Sequence, residues 1–151
     1  MRHGDDDHRL TAQGIFDGLN DLMLRDAADN DAVNLAACPD HYLLEPNGDT
    51  LEVIETTGGS PFASQFFLRY GDEAGLIAAA DPSFSHQSFG TARLKDGTAI
   101  GGVRHQFRDA NGEVHARLMV EFPYATPTFM IRQHQIHLAC EFLYWFERIR
   151  G

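Results

Sequence analysis

The sequence predicts an α+β protein: a curved antiparallel sheet of about six strands, an N-terminal helix, and a long C-terminal helix packed across the sheet. Three observations carry this. Near the start, apolar residues recur at helical spacing, at Leu10, Ile15, Leu19, Leu22, Met23 and Leu24. The middle of the chain alternates apolar and polar residues between the turn signals Asn47-Gly48, Asp96-Gly97 and Asn111-Gly112. After Thr126-Pro127 a helical pattern runs on to about Ile149, with Thr as N-cap and Pro at the first helical position.

Each element follows in order. The first helix spans Leu10 to about Ala28, weakened by Gly14 and Gly18. Asp29 to Asp40 reads as a loop or a broken short helix. His41–Glu45 and Leu51–Thr57 form a hairpin around Pro46-Asn47-Gly48-Asp49. Phe62–Tyr70 alternates Phe62, Phe66, Leu68 and Tyr70 against Gln65 and Arg69. Asp72–Ala80 reads as a short helix ended by Asp81-Pro82. Gln87–Lys95, Ala99–Arg108 and Glu113–Phe122 make a three-stranded meander, and Gly90, Gly101 and Gly102 permit bends in it. The last helix carries an apolar arc of Ile131, Leu138, Phe142, Trp145, Phe146 and Ile149.

Composition bounds the function. The 151 residues, 43% hydrophobic with 11 Phe, suit one small-molecule-binding domain over 1–151, with 1–9 as a solvated leader. A net charge of −10 disfavours nucleic acid and anionic membranes as partners. No apolar run reaches transmembrane length, and the first residues lack the apolar core of a signal peptide. Cys38 and Cys140 stand in no metal-ligand spacing, so a cytoplasmic chain with free thiols is expected.

The most chemical stretch lies in the last helix. His134, His137 and Glu141 fall within an arc of roughly 60°. Such a stripe converges on a metal ion or a polar substrate. It also fits a polar flank, since Tyr144 and Arg148 continue it, but it borders the apolar arc and so looks toward any cavity beneath the helix. His137 and Glu141, four residues apart, suit a divalent ion.

Strand register selects further candidates. A turn at Asn111-Gly112 pairs Arg108 with His115 and His105 with Leu118. Val103, His105 and Phe107 then share the inner face with Leu118, Val120 and Phe122. Pairing Leu44 with Leu51 and Tyr42 with Val53 puts Tyr42, Leu44, Leu51, Val53 and Glu55 on one face, and His41 and Glu52 on the other. A carboxylate at Glu55 on an apolar face needs a partner or a raised pKa. An apolar pocket lined by Tyr42, Phe66, Phe107, Leu118 and Trp145 is expected to hold an aromatic ligand.

The element order resembles the helix-grip fold of the Bet v 1 and START-like superfamily, in which the last helix and a curved sheet enclose an apolar cavity. The NTF2-like cone is the alternative. The His137-x-x-x-Glu141 pair on the terminal helix is similar to the zinc site of the phloretin and diacetylphloroglucinol hydrolases. That resemblance implies one more His and one more Glu from the sheet, His before Glu. His105 and Glu55 fit by face but in reversed order; His41 and Glu55 fit by order but not by face.

The sequence therefore points to a divalent-metal hydrolase or lyase acting on an aromatic or polyketide-like substrate. His137, Glu141 and Glu55 are the metal candidates, with zinc the leading ion, and His105 and His134 are the general-base candidates. A non-catalytic carrier of a hydrophobic ligand and a metal-free cyclase or dehydratase are the alternatives. Ile136 and Leu143, on the far side of the last helix, suggest a homodimer contact.

Overall fold

The computed structural model describes residues 10–25, 31–57 and 60–151. The leader expected at 1–9, and the end of the first predicted helix, lie outside the described residues. Helix α1 (Ala12–Asn20) starts where the Thr11 side chain accepts a hydrogen bond from the Gly14 amide, and a wider π-helical turn (Asp21–Arg25) extends it. Short α2 (Asp31–Ala36) occupies the segment read as a loop or broken helix. Six strands follow: β1 (His41–Asn47), β2 (Thr50–Thr56), β3 (Ala63–Tyr70), β4 (His86–Arg93), β5 (Ala99–Ala110) and β6 (Glu113–Glu121). They pair antiparallel in chain order, β1 to β6, as one meander. Helix α3 (Thr128–Arg150) ends the chain. The fold is α+β, with the helices across the sheet.

Two expectations about boundaries fail. The 72–80 segment forms no helix, because its polar groups are taken up by the sheet; the Ile77 and Ala78 amides, for example, donate to the Glu121 carboxylate. Thr126 does not cap α3, since its hydroxyl is spent on the Pro123 carbonyl, and Pro127 is the cap residue.

The inner face of the sheet carries two apolar clusters. One gathers Leu44, Leu51, Val53, Leu68 and Ala92 on β1 to β4. The other joins Ala12, Ile15 and Leu19 of α1 to Phe107 of β5 and to Leu138, Phe142 and Trp145 of α3. Trp145 is only 1% exposed, and its ring meets Phe142 edge-on at 5.1 Å. Ile131 is half outside this arc, at 38% exposure. Close packing of backbones needs glycine at Gly101 and Gly102: a Cβ would collide with the Glu121 carbonyl at the first and with the Gly90 carbonyl at the second.

Candidate metal centre and cavity

Between the two clusters lies a cavity of about 300 Å³, at the small end of ligand-binding pockets. Its walls are mostly apolar, and β2, β3, β5 and α3 all contribute. At one side four ionisable side chains meet. His41 Nε2 lies 3.1 Å from Glu141 Oε2, 3.1 Å from His137 Nε2 and 3.6 Å from Glu55 Oε2. His137 Nε2 lies 3.3 Å from Glu141 Oε2 and 3.7 Å from Glu55 Oε2. All four residues are buried.

A local irregularity in β1 builds this cluster. His41 pairs with Glu55, and Leu43 pairs with Ile54, so Tyr42 is an extra residue. This β-bulge shifts alternation by one. It turns Tyr42 outward, 57% exposed, and His41 inward. The expectation that Tyr42 lines the pocket is thereby corrected, as is the placement of His41 opposite Glu55. From Leu43 onward the face assignments hold, because Leu44 pairs with Val53, two residues from the expected register, and a shift of two preserves the face.

The backs of both imidazoles are fixed. His41 Nδ1 lies 2.9 Å from the Asn34 carbonyl, which can only accept, so this nitrogen donates. His137 Nδ1 lies 3.3 Å from the Asp40 carboxylate and 3.4 Å from Cys38 Sγ. Asp40 is itself held by the Thr56 hydroxyl at 3.1 Å. With Nδ1 donating outward, each ring turns the Nε2 lone pair inward, toward two carboxylates. Two lone pairs and two acids directed at one point call for positive charge.

Protons can supply that charge, and the acid–base balance shows it. Burial opposes charge on His137, but Glu141 outweighs it and raises the imidazole to about 9. Burial likewise opposes charge on Glu141, but His137 and His41 hold its carboxyl down at about 2. His41 is also raised, by Glu141 against its burial. Burial pushes Glu55 up to about 7. A cation can equally take the protons' place. In a tetrahedral zinc set with bonds near 2.0–2.1 Å, neighbouring ligand atoms stand about 3.3 Å apart. The five separations above, 3.1–3.7 Å, bracket that spacing.

Other predicted residues are distributed around this centre. His134 and His105 are buried cavity residues, and burial pushes each imidazole down to about 4, so both are neutral near pH 7. Among the described residues neither ring's Nδ1 finds a partner, nor does Trp145 Nε1. His134 stacks on His137 at 4.6 Å, and His105 meets Phe142 edge-on at 4.6 Å. Three trios of potential ligand atoms share His137 among the described residues: with His41 and Glu141, with Glu55 and His134, and with Cys38 and Asp40. Phe66 and Trp145 line the cavity. Phe107 and Leu118 do not: they lie on the expected face, but α1 and α3 cover them. Tyr70, half-buried on β3, adds a phenol to the wall, its hydroxyl 3.5 Å from Met23 Sδ.

Against protein-family models, curated proteins and solved structures, the chain finds no match. Among the described residues no helix is long and apolar enough to cross a membrane.

Proposed function

We propose that this chain is a divalent-metal enzyme, with zinc as the ion, that hydrolyses or otherwise cleaves a small aromatic or polyketide-like substrate. The observation that carries the reading is the trio of His41, His137 and Glu141, whose donor atoms stand 3.1–3.3 Å apart beside an apolar cavity, with Glu55 3.6–3.7 Å from both imidazoles. Two imidazoles and two carboxylates suit zinc better than the hard oxygen-loving ions. With His41 turned inward, the sheet pair also satisfies both order and face in the resemblance to the phloretin and diacetylphloroglucinol hydrolases.

When bound, the ion supplies Lewis-acid polarisation of a substrate oxygen. The chain's own residues do the rest. Asn34 and Asp40 hold the imidazole tautomers. Neutral His134 and His105 offer ring nitrogens for hydrogen bonds to substrate hydroxyl or carbonyl groups. The apolar wall seats the ring of the substrate and excludes water. The test is a zinc titration with a chromophoric competitor, followed by hydrolysis assays on a panel of acylated phenols. One zinc per chain is expected, lost in His41→Ala, with turnover lost alongside it. A chain that binds no zinc at micromolar free metal but binds apolar aromatics in the cavity is instead a ligand carrier.

A further inference from the structure

Helix α3 has a second face, opposite the one that carries the metal centre. Phe129, Ile136 and Leu143 are 61%, 59% and 63% exposed and recur every seven residues. Arg132, Ala139, Cys140, Glu147 and Arg150 are exposed beside them. At 100° per residue all eight fall within an arc of about 100°. The buried residues His134, Leu138, Glu141, Phe142 and Trp145 face the other way. Arg132, Glu147 and Arg150 form no ion pair among the described residues.

The stripe is complementary to itself when reversed. We propose that two copies of this chain pair through α3, antiparallel, about a two-fold axis passing between Ala139 and Cys140. In that register Ile136 lies level with the partner's Leu143, Arg132 with the partner's Glu147, and Phe129 with the partner's Arg150. Each pairing occurs twice by symmetry. The first is apolar packing, the second an ion pair, the third a guanidinium against an aromatic ring. Cys140 and the partner's Cys140 lie across the axis from each other, one residue out of level. A parallel pairing would set Arg132 on Arg132 and Glu147 on Glu147. The charge order therefore chooses the antiparallel arrangement. The stripe also carries two arginines and one glutamate, in a chain of net charge −10, so copies meet where they repel least. One helix pair roughly 34 Å long buries less than a standard interface, so the association is weak and concentration-dependent.

The experiment is light scattering on the full chain from about 1 μM to 1 mM. The expected mass rises from one chain to two across that range. Leu143→Glu, at an exposed position, should hold the chain monomeric throughout with an unchanged circular dichroism spectrum. Arg132→Glu or Glu147→Arg alone should weaken dimerisation by about tenfold, and the double exchange should restore it. Mild oxidation should link two chains through Cys140 and fail in Cys140→Ser. A monomer at every concentration overturns the proposal. So does a dimer that survives Leu143→Glu, or a double exchange that restores nothing.

Discussion

Two clusters of buried polar side chains occupy opposite faces of the same sheet, and they balance charge differently. On the outer face, residues 71–85 lie over β4 and β5. Arg104, 3% exposed, donates to Glu73 at 2.9 Å and to Gln87 at 2.8 Å. Gln106 donates to the Asp81 carbonyl, and the Thr91 hydroxyl to the Asp72 carbonyl. Phe84 sits under both Arg108 and Arg117, at 4.8 and 5.2 Å. There a buried cation meets carboxylate and amide oxygens of the chain itself, while Arg104 Nε and Gln106 Oε1 find no partner among the described residues. The inner cluster gathers two carboxylates and two imidazoles, and draws its positive charge from titration or from an ion. A buried charge met by an opposite charge of the chain holds a fold together; one completed only by something mobile is suited to chemistry.

The largest expected effect separates the clusters by metal dependence. On the proposed assignment, zinc at about a thousandfold over its dissociation constant stabilises the folded chain by about 4 kcal/mol. Glu141→Gln should lose nearly all of that increment, because an amide is a poorer ligand than a carboxylate. Arg104→Met should cost about 1–3 kcal/mol with or without zinc, since it strands Gln87 and removes a buried hydrogen-bonded cation. Thermal melts with zinc and with chelator decide this. Equal zinc responses in parent and Glu141→Gln would erase the distinction between the clusters.

The next prediction tests what lies behind the ligands. Asp40→Ala leaves all four converging side chains in place but frees His137 to rotate. Zinc affinity should fall about 10- to 100-fold. An unchanged affinity, read in the same competition titration, would mean that packing alone orients the ring.

The smallest effect is in pH. In chelator, His137 stabilises the fold fully below about pH 6.5 and loses that contribution as pH rises through about 9, because its folded pKa is raised. Glu55, raised to about 7, costs stability progressively from its ordinary pKa near 4.5 upward. Both move the same way, so the metal-free chain should weaken steadily between pH 6 and 9. The Glu141 contribution is lost only as pH falls from 4.5 toward 2. With zinc the trend should reverse over pH 6–8, since protons compete for the ligands. Parallel melting curves with and without zinc would contradict this.

Much of the architecture was legible because alternation and turn chemistry are local. The Asn111-Gly112 hairpin pairs Arg108 with His115 and His105 with Leu118, as its two-residue turn requires. The helical half of the centre was equally legible, since His137 and Glu141 are fixed by spacing on one helix. The sheet half was not. His41 reaches Glu55 only through the bulge at Tyr42, and no residue type near it announces a bulge. Asn34 and Asp40 act through a backbone carbonyl and a chain reversal, neither of which has a periodicity. Phe107 and Leu118 were assigned the right face, but whether a face opens on space or on a helix depends on how α1 and α3 pack.

The meander has a consequence for the order of assembly. Every strand pairs with its neighbour in sequence, so the sheet can zip from local hairpins at little entropic cost. The contact between His41 and His137, 96 residues apart, must wait until α3 docks. The centre is thus a clasp that only the docked helix can complete, joining the first strand of the sheet to the end of the chain.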